Sequence, residues 1–227
     1  MLVTIGQPGL FPWWGTFAKA AVSDVVIHLD HVTWQKSGYL NRYLISSTIS
    51  ESRYWCTLPL HRANCDAKIN TLQMLGAANY KQCHIDKIRS VLGRCRADEN
   101  LIQTLVSKAY SVNSSFAADA AVCSTELLSD SIGLGCSFVR SSELKPLGTS
   151  TEMLIGLIKA VGGNSYLFGP GKNGRCQQYL DVQLMKKAGI RVGIAVYGER
   201  PRVSILQDLW LGGSLLKSDF PMTIEWL

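Results

Sequence analysis

The sequence predicts an α/β fold: a mostly parallel sheet built from βαβ units, with a helical insert in the middle of the chain. Three observations predict it. Two short runs rich in β-branched residues, 2–6 (LVTIG) and 24–30 (DVVIHLD), flank a stretch with helical character. Residues 81–130 carry helical spacing and contain no proline. Alternation of strand and helix signals then returns between residues 134 and 197.

Each element has its own local reason. Residues 2–6 are apolar and end in Gly-Gln-Pro-Gly, the pattern of a buried strand running into a turn. Residues 13–22 (WWGTFAKAAV) read as a helix with Pro12 at its start. The run 24–30 closes a βαβ unit whose two strands should lie parallel. Residues 52–60 (SRYWCTLPL) read as a further strand ended by Pro59. Within 81–130, spacings such as Ile85, Ile88, Leu92 and Leu101, Leu105, Tyr110 indicate two or three helices. Residues 134–140 are a strand. Residues 150–161 are a helix with Ser or Thr near its N-cap, Glu152 in its first turn and Gly162-Gly163 at its end. The strand 165–168 precedes a glycine-rich loop at 169–174, a short helix at 180–188 and a strand at 190–197. All 227 residues are read as one domain with the insert or cap at about 81–130.

Composition narrows the class. The chain is 47% hydrophobic and 18% charged, which excludes a disordered or low-complexity protein. No run of eighteen apolar residues exists, so no membrane partner is expected. The opening MLVTIGQPG has neither a basic n-region nor a long apolar h-region, and a cytoplasmic location is expected. Seven cysteines, at 56, 65, 83, 95, 123, 136 and 176, show no CxxC spacing and read as reduced thiols. The four histidines form no HExxH or Cys/His ligand pattern, so no metal is expected. The net charge of +6 is scattered. Its densest stretch, Lys81, Lys87, Arg89, Arg94 and Arg96, reads as a solvated helix face, or alternatively as a site for an anionic substrate, an acidic carrier protein or nucleic acid. No zinc-finger, RNP or basic-region pattern supports nucleic acid.

Three segments could carry chemistry. Gln7 to Gly15 follows the first strand, where ligands bind at the carboxyl edge of a parallel sheet and a helix start favours an anion. Gln7 could hydrogen-bond a ligand, and Gly15 could let a phosphate or a second backbone approach. The alternative is a packing turn with Trp13 and Trp14 in contact with the core. The second segment runs from Asp30 and His31 through Lys36, Asn41 and Arg42. Asp30 or His31 is a candidate base, and Arg42 a bidentate clamp for carboxylate or phosphate. The alternative is an Asp30–Arg42 ion pair beside a solvated loop. The third is the loop Gly169-Pro170-Gly171-Lys172, leading to Tyr179 and Asp181. Its backbone could approach a ligand and Lys172 could neutralise a phosphate. The alternative is a surface turn with Asp181 as an ordinary N-cap. Cys56 and Cys65 beside His61, and Cys176 beside the glycine loop, are weak nucleophile candidates.

Taken together these residues resemble the WbqC-like protein family. The likeness runs from Gln7-Pro8, Pro12-Trp13, Gly15 and Asp24 through Leu29-Asp30-His31-Val32, Lys36, Asn41-Arg42 and Trp55 to Leu58-Pro59-Leu60. It continues through Ser141-Ser142-Glu143-Leu144, Thr151-Glu152-Met153-Leu154, Tyr166 to Gly171 and Tyr179-Leu180-Asp181, and closes at Ser204-Ile205-Leu206. The family usually has a second aspartate where His31 stands, and an aspartate where Gln207 stands, one place before Asp208. Such proteins are associated with bacterial gene clusters for O-antigen and other surface or modified sugars. The resemblance implies biosynthetic acyl or aminoacyl transfer to an amino group, often that of an amino sugar, and the chain could equally serve a natural-product pathway.

The leading expectation is therefore an N-acyl or aminoacyl transferase acting on a small polar amine. Its donor would be an activated acid, an acyl-thioester or acyl-adenylate, with no cofactor bound tightly. A carrier protein is a possible partner, and nucleic acid enters only as an aminoacyl donor. On this expectation, replacing Asp30 or Arg42 singly cuts turnover by at least about a hundredfold. Two alternatives stand beside it. One is a nucleotide-using enzyme, adenylating or nucleotidyl-transferring, although the HxGH motif is missing from Pro12-Trp13-Trp14-Gly15. The other is a non-catalytic partner in a biosynthetic complex, with Trp13, Trp14 and Trp34 as an exposed interface patch.

Overall fold

The computed structural model describes residues 1–50, 52–62, 66–170, 180–198, 202–213 and 215–227. Its centre is a six-stranded sheet of β1 (Leu2–Gly6), β2 (Val25–His28), β5 (Ser137–Arg140), β6 (Ser165–Phe168), β7 (Arg191–Val196) and β8 (Thr223–Trp226). The spatial order is β5-β2-β1-β6-β7-β8. All neighbours are parallel except β7 and β8. Numbered along the chain within this sheet alone, the order is 3-2-1-4-5-6, that of a doubly wound α/β fold. The chain leaves β1 toward β2 on one side and returns on the other side as β6. The carboxyl ends of β1 and β6 therefore flank the point where the winding reverses, the place where such sheets leave a crevice.

Period-two alternation explains the layers. Val3 and Ile5 of β1, with Val25 and Ile27 of β2, face one cluster. It is completed by Leu157 and Ile158 of α6 (Ser150–Ala160), which follows the four-residue α5 (Ser141–Leu144), and by Met185 of α7 (Val182–Lys187). Val26 faces the opposite, larger cluster. That cluster is built from α1 (Trp14–Val22), α2 (Lys81–Leu92), α3 (Glu99–Tyr110), α4 (Ala117–Ile132) and α8 (Ile205–Trp210). Gly162, at φ +75°, ends α6 as its sequence indicates.

The helical segment is found where the sequence predicts it, as three helices. Its place differs from a peripheral cap: α2, α3 and α4 form part of the layer on one face of the sheet, and they belong to the connection between the parallel neighbours β2 and β5. The predicted strand at 52–60 also differs in its partner. β4 (Arg53–Thr57) pairs antiparallel with β3 (Arg42–Ser46) in a separate two-stranded sheet and does not join the central one. The strand β3, the helix α8 and the antiparallel edge strand β8 were not predicted.

Candidate functional site

A cleft opens over the carboxyl ends of β1 and β6. It has two lobes, about 580 and 480 Å³, which share Gly6, Gln7, Trp13, Thr16, Lys19 and Arg202. Strand alternation assigns the lobes to the two faces of the sheet. The larger one is bounded by Ile5, Tyr166 and Phe168, with Gly169, Leu180 and Tyr197 at its rim. The smaller one is bounded by Thr4, Val26 and His28, with Gln35, Tyr39 and Thr125 across from them.

The loop from Gln7 to Trp13 bends sharply to reach α1. Phe11 adopts φ +42°, a left-handed conformation that a bulky residue holds only when its surroundings compel it. The surroundings are specific. Phe11 is fully buried, its N–H donates to Ser124 Oγ at 3.0 Å, and its ring meets Tyr43 edge-on at 5.2 Å. This places Trp13 as N-cap of α1 and as a wall of both lobes. The Trp13 ring lies 5.8 Å from Tyr197, and the Arg202 guanidinium 5.4 Å above it. Lys19 projects from α1 to the same border. Together with the positive end of α1, these groups make the shared border of the cleft electropositive and aromatic.

Gln7 and Gly169, both singled out in the sequence, line this cleft. Gly15 also borders it, but its small size serves Trp13: a Cβ there would meet three indole atoms at under 3.0 Å. The close approach expected of a phosphate is thus taken by a side chain of this chain. Asp181 caps α7, its Oδ1 accepting from Leu184 N–H at 2.9 Å. Lys36 is exposed and does not line the cleft. Gly171, Lys172 and Tyr179 lie outside the described residues, as do Cys65 and Cys176.

Asp30 and His31 stand apart from both lobes. Asp30 is fully buried and accepts four hydrogen bonds: from Arg140 Nε at 2.8 Å, Ser142 Oγ at 2.8 Å, Ser142 N–H at 2.9 Å and Ser141 Oγ at 3.0 Å. Burial alone would raise its pKa, but these donors outweigh burial and hold the carboxyl below the usual range. A carboxylate with all its lone pairs engaged is a brace, not a proton acceptor for a ligand. Arg140 also pairs with Asp119 of α4, so the brace ties the end of β5 to the helical layer. Nδ1 of His31 lies 2.7 Å from Ser141 Oγ, and its Nε2 lies 3.1 Å from Met153 Sδ.

The Asp30–Arg42 pair weighed from the sequence does not form, because Arg140 occupies the carboxylate. Arg42 instead lies 4.3 Å over the Trp55 ring and donates from Nε to the Gly38 carbonyl at 3.0 Å. Asn41 donates from Nδ2 to the Leu58 carbonyl at 2.7 Å. Both residues fix the loop whose Gly38 and Tyr39 wall the smaller lobe, and neither enters it.

Several residues of the cleft escaped the sequence reading, among them Lys19, Tyr197, Arg202 and His28. His28, at the end of β2, is 4% exposed and walls the smaller lobe, and its Nε2 is buried with no hydrogen-bond partner. Its ring stacks on Phe138 at 5.5 Å. Burial pushes its pKa down to about 4, against the opposing pull of Asp30, so the ring is neutral at pH 7. A buried polar atom left unmatched costs about 1–3 kcal/mol. The available signal was a single polar ring inside the otherwise apolar run Val25-Val26-Ile27-His28-Leu29.

Other sequence candidates are accounted for. Cys56 is buried among Tyr43, His84 and Tyr110, and burial pushes its thiol up to about 11, which keeps it protonated. In the basic stretch, Arg89 is paired with Asp86 and Glu99, and Lys87 donates to the Trp55 carbonyl. Trp14 is buried against Phe220, while Trp13 and Trp34 are half-buried, so the three do not form an exposed patch. Among the described residues, no group of three His, Cys, Asp or Glu could hold a metal, and no helix is long and apolar enough to cross a membrane.

Fold and cleft define a doubly wound α/β protein with a two-lobed polar crevice at the winding reversal. The family model of the WbqC-like protein family matches residues 7–206, and the chain belongs to that family. Comparison with curated proteins finds no match, and comparison with solved structures finds none.

Proposed function

We propose that this protein transfers an acyl or aminoacyl group from an activated acid to a small polar amine. The observation that carries the reading is the continuity of two chemically different lobes across Gly6 and Gln7. The larger lobe meets the electropositive border formed by Trp13, Lys19 and Arg202, a setting for the phosphate-bearing part of an acyl-thioester or acyl-adenylate. The smaller lobe is lined by hydroxyl, amide and imidazole groups and suits the amine. Gln7 stands at the junction, where its amide can orient the carbonyl between donor and acceptor. In the transfer the amine nitrogen bonds to the carbonyl carbon as the bond from that carbon to the thiolate or nucleoside monophosphate breaks, and the proton lost by the amine passes to the leaving thiolate or, with the monophosphate, to solvent.

Thermal-shift measurements test this. Acyl-coenzyme A or a non-hydrolysable acyl-adenylate analogue should raise the midpoint, and R202A with W13A should remove most of that rise. No response to any acyl donor in wild type would sink the reading. A second reading, a nucleotide-using enzyme, is favoured by the strand order 3-2-1-4-5-6 alone, a fold-level argument. Stabilisation by ATP or CTP without response to acyl donors would select it.

A further inference from the structure

We propose that the larger lobe selects the acyl group of the donor, and that this group is apolar and larger than acetyl, seated on a floor of Ile5, Leu29, Leu154, Phe168 and Leu180. That the apolar group is an acyl chain rests on the transferase reading; the preference of the lobe for an apolar group rests on its lining.

Polarity is divided along the cleft. Gln7, Thr16 and Arg202 line both lobes, whereas Ile5, Leu29, Leu154, Phe168 and Leu180 line the larger lobe and not the smaller one. Separate elements deliver these side chains to one place: β1, the end of β2, α6, β6 and the approach to α7. Val3 pairs in register with Tyr166 and Thr4 with Leu167, which carries Ile5 alongside Phe168 on one face of the sheet. The Phe168 ring stacks on that of Tyr166 at 6.0 Å, which holds it in place as a wall. Leu29 and Leu154 are half-buried, and Ile5 and Leu180 keep 7% and 9% of their surface. Apolar side-chain surface therefore faces the cavity, and a group in the lobe touches it directly.

The parts of an acyl donor match this division. With the amine in the smaller lobe, the carbonyl stands at Gln7 and the phosphate beside Trp13 and Arg202. The tail on the carbonyl then passes Gly6, where a Cβ would meet no heavy atom within 4 Å, and reaches Ile5 and Phe168. An acetyl group ends near that point and leaves the floor to water. A longer apolar chain displaces the water, and each buried methylene is worth about fourfold in affinity. A volume of about 580 Å³ has room for such a chain.

The test titrates carboxamides, which carry the carbonyl and the tail but no leaving group, into full-length protein with ¹³C-labelled isoleucine and leucine methyl groups. The probes are acetamide, isovaleramide and succinamide. Isovaleramide should produce saturable shifts of the Ile5 and Leu154 methyl signals. Acetamide, which lacks the branched tail, and succinamide, which is polar at its far end, should bind at least about tenfold more weakly. L154Q should weaken isovaleramide binding at least about fivefold, read at Ile5, and L154M should stay within about twofold of wild type. No saturable binding of isovaleramide, shifts that spare Ile5 and Leu154, acetamide or succinamide binding as tightly, or a folded L154Q that binds normally would each overturn the proposal. Should L154Q fail to fold, the amide series on wild type decides alone. Because the amides cannot react, selective isovaleramide binding without product from any acyl donor in a separate assay upholds the lobe and removes the transferase reading. Transfer of acetyl as efficient as that of isovaleryl keeps that reading and overturns this one.

Discussion

Asp30 Oδ2 lies 2.8 Å from Nε of Arg140, 110 residues further along the chain, and this pair joins the carboxyl ends of two neighbouring parallel strands. The relationship recasts Asp30. Its charge is matched by four donors, so removing it takes an acceptor from Arg140, Ser141 and Ser142 together, while Arg140 keeps Asp119.

The first prediction concerns stability, not chemistry. D30A should lose about 2–4 kcal/mol in urea denaturation, because it deletes the acceptor of four hydrogen bonds while Arg140 keeps its pair with Asp119. R140M should lose less, about 1–2 kcal/mol, because three donors to Asp30 remain and the arginine is a quarter exposed. A D30A protein as stable as wild type, with turnover abolished, would return Asp30 to the role of catalytic base.

Much of the fold was legible because strand and helix periodicities differ and the chain keeps them separate. The run Val25-Val26-Ile27 could hardly be anything but a buried strand. The strand Arg42–Ser46 was hidden because only three consecutive apolar residues mark it, and its partner depends on a hairpin the sequence does not signal. The site was half legible. Gln7 and Gly169 follow from the rule that ligands sit beyond the carboxyl ends of parallel strands. Asp30 and Arg42 obey the same rule in sequence, yet they turn to Arg140 and to Trp55, partners fixed only by tertiary packing. His28 was missed because an isolated histidine in an apolar run looks like core.

A pH prediction follows from the two buried histidines. Burial pushes both His28 and His84 down to about 4 from an unfolded value of 6.5. Between those values the unfolded chain binds protons that the folded protein refuses. Stability therefore falls as pH drops from about 6.5 to about 4, on the order of 3 kcal/mol per histidine. Glu126, raised by burial, opposes part of this trend, while Asp30 adds its own loss only below the ordinary carboxylate range. H28F should flatten the slope and, by removing the unmatched Nε2, raise stability at neutral pH by about 1–3 kcal/mol. Denaturation midpoints at acid and neutral pH measure both effects.

Gly15 gives a prediction in which the usual sign is reversed. Glycine to alanine within a helix normally stabilises by about 0.5–1 kcal/mol. Here the new Cβ meets the Trp13 indole, so G15A should destabilise slightly and displace a wall of the cleft. In a W13A background the same substitution should turn stabilising. A double-mutant cycle in thermal midpoint reads that change of sign, and additivity of the two substitutions would refute the contact.

Gly6 behaves in the opposite way, and it separates binding from folding. It ends β1, borders both lobes, and a Cβ added there meets no heavy atom within 4 Å. The strand tolerates a β-branched residue, and valine is favoured in that setting over glycine. G6V should therefore keep or raise the thermal midpoint of the free protein. Its branched side chain stands in the space where the two lobes join, so the shift produced by an acyl-adenylate analogue should shrink to less than about a tenth in apparent affinity. If G6V binds that analogue as wild type does, the two lobes do not act as one site. The open space beside Gly6 would then be a groove without a tenant at the junction, and donor and acceptor would have to meet elsewhere on the sheet edge.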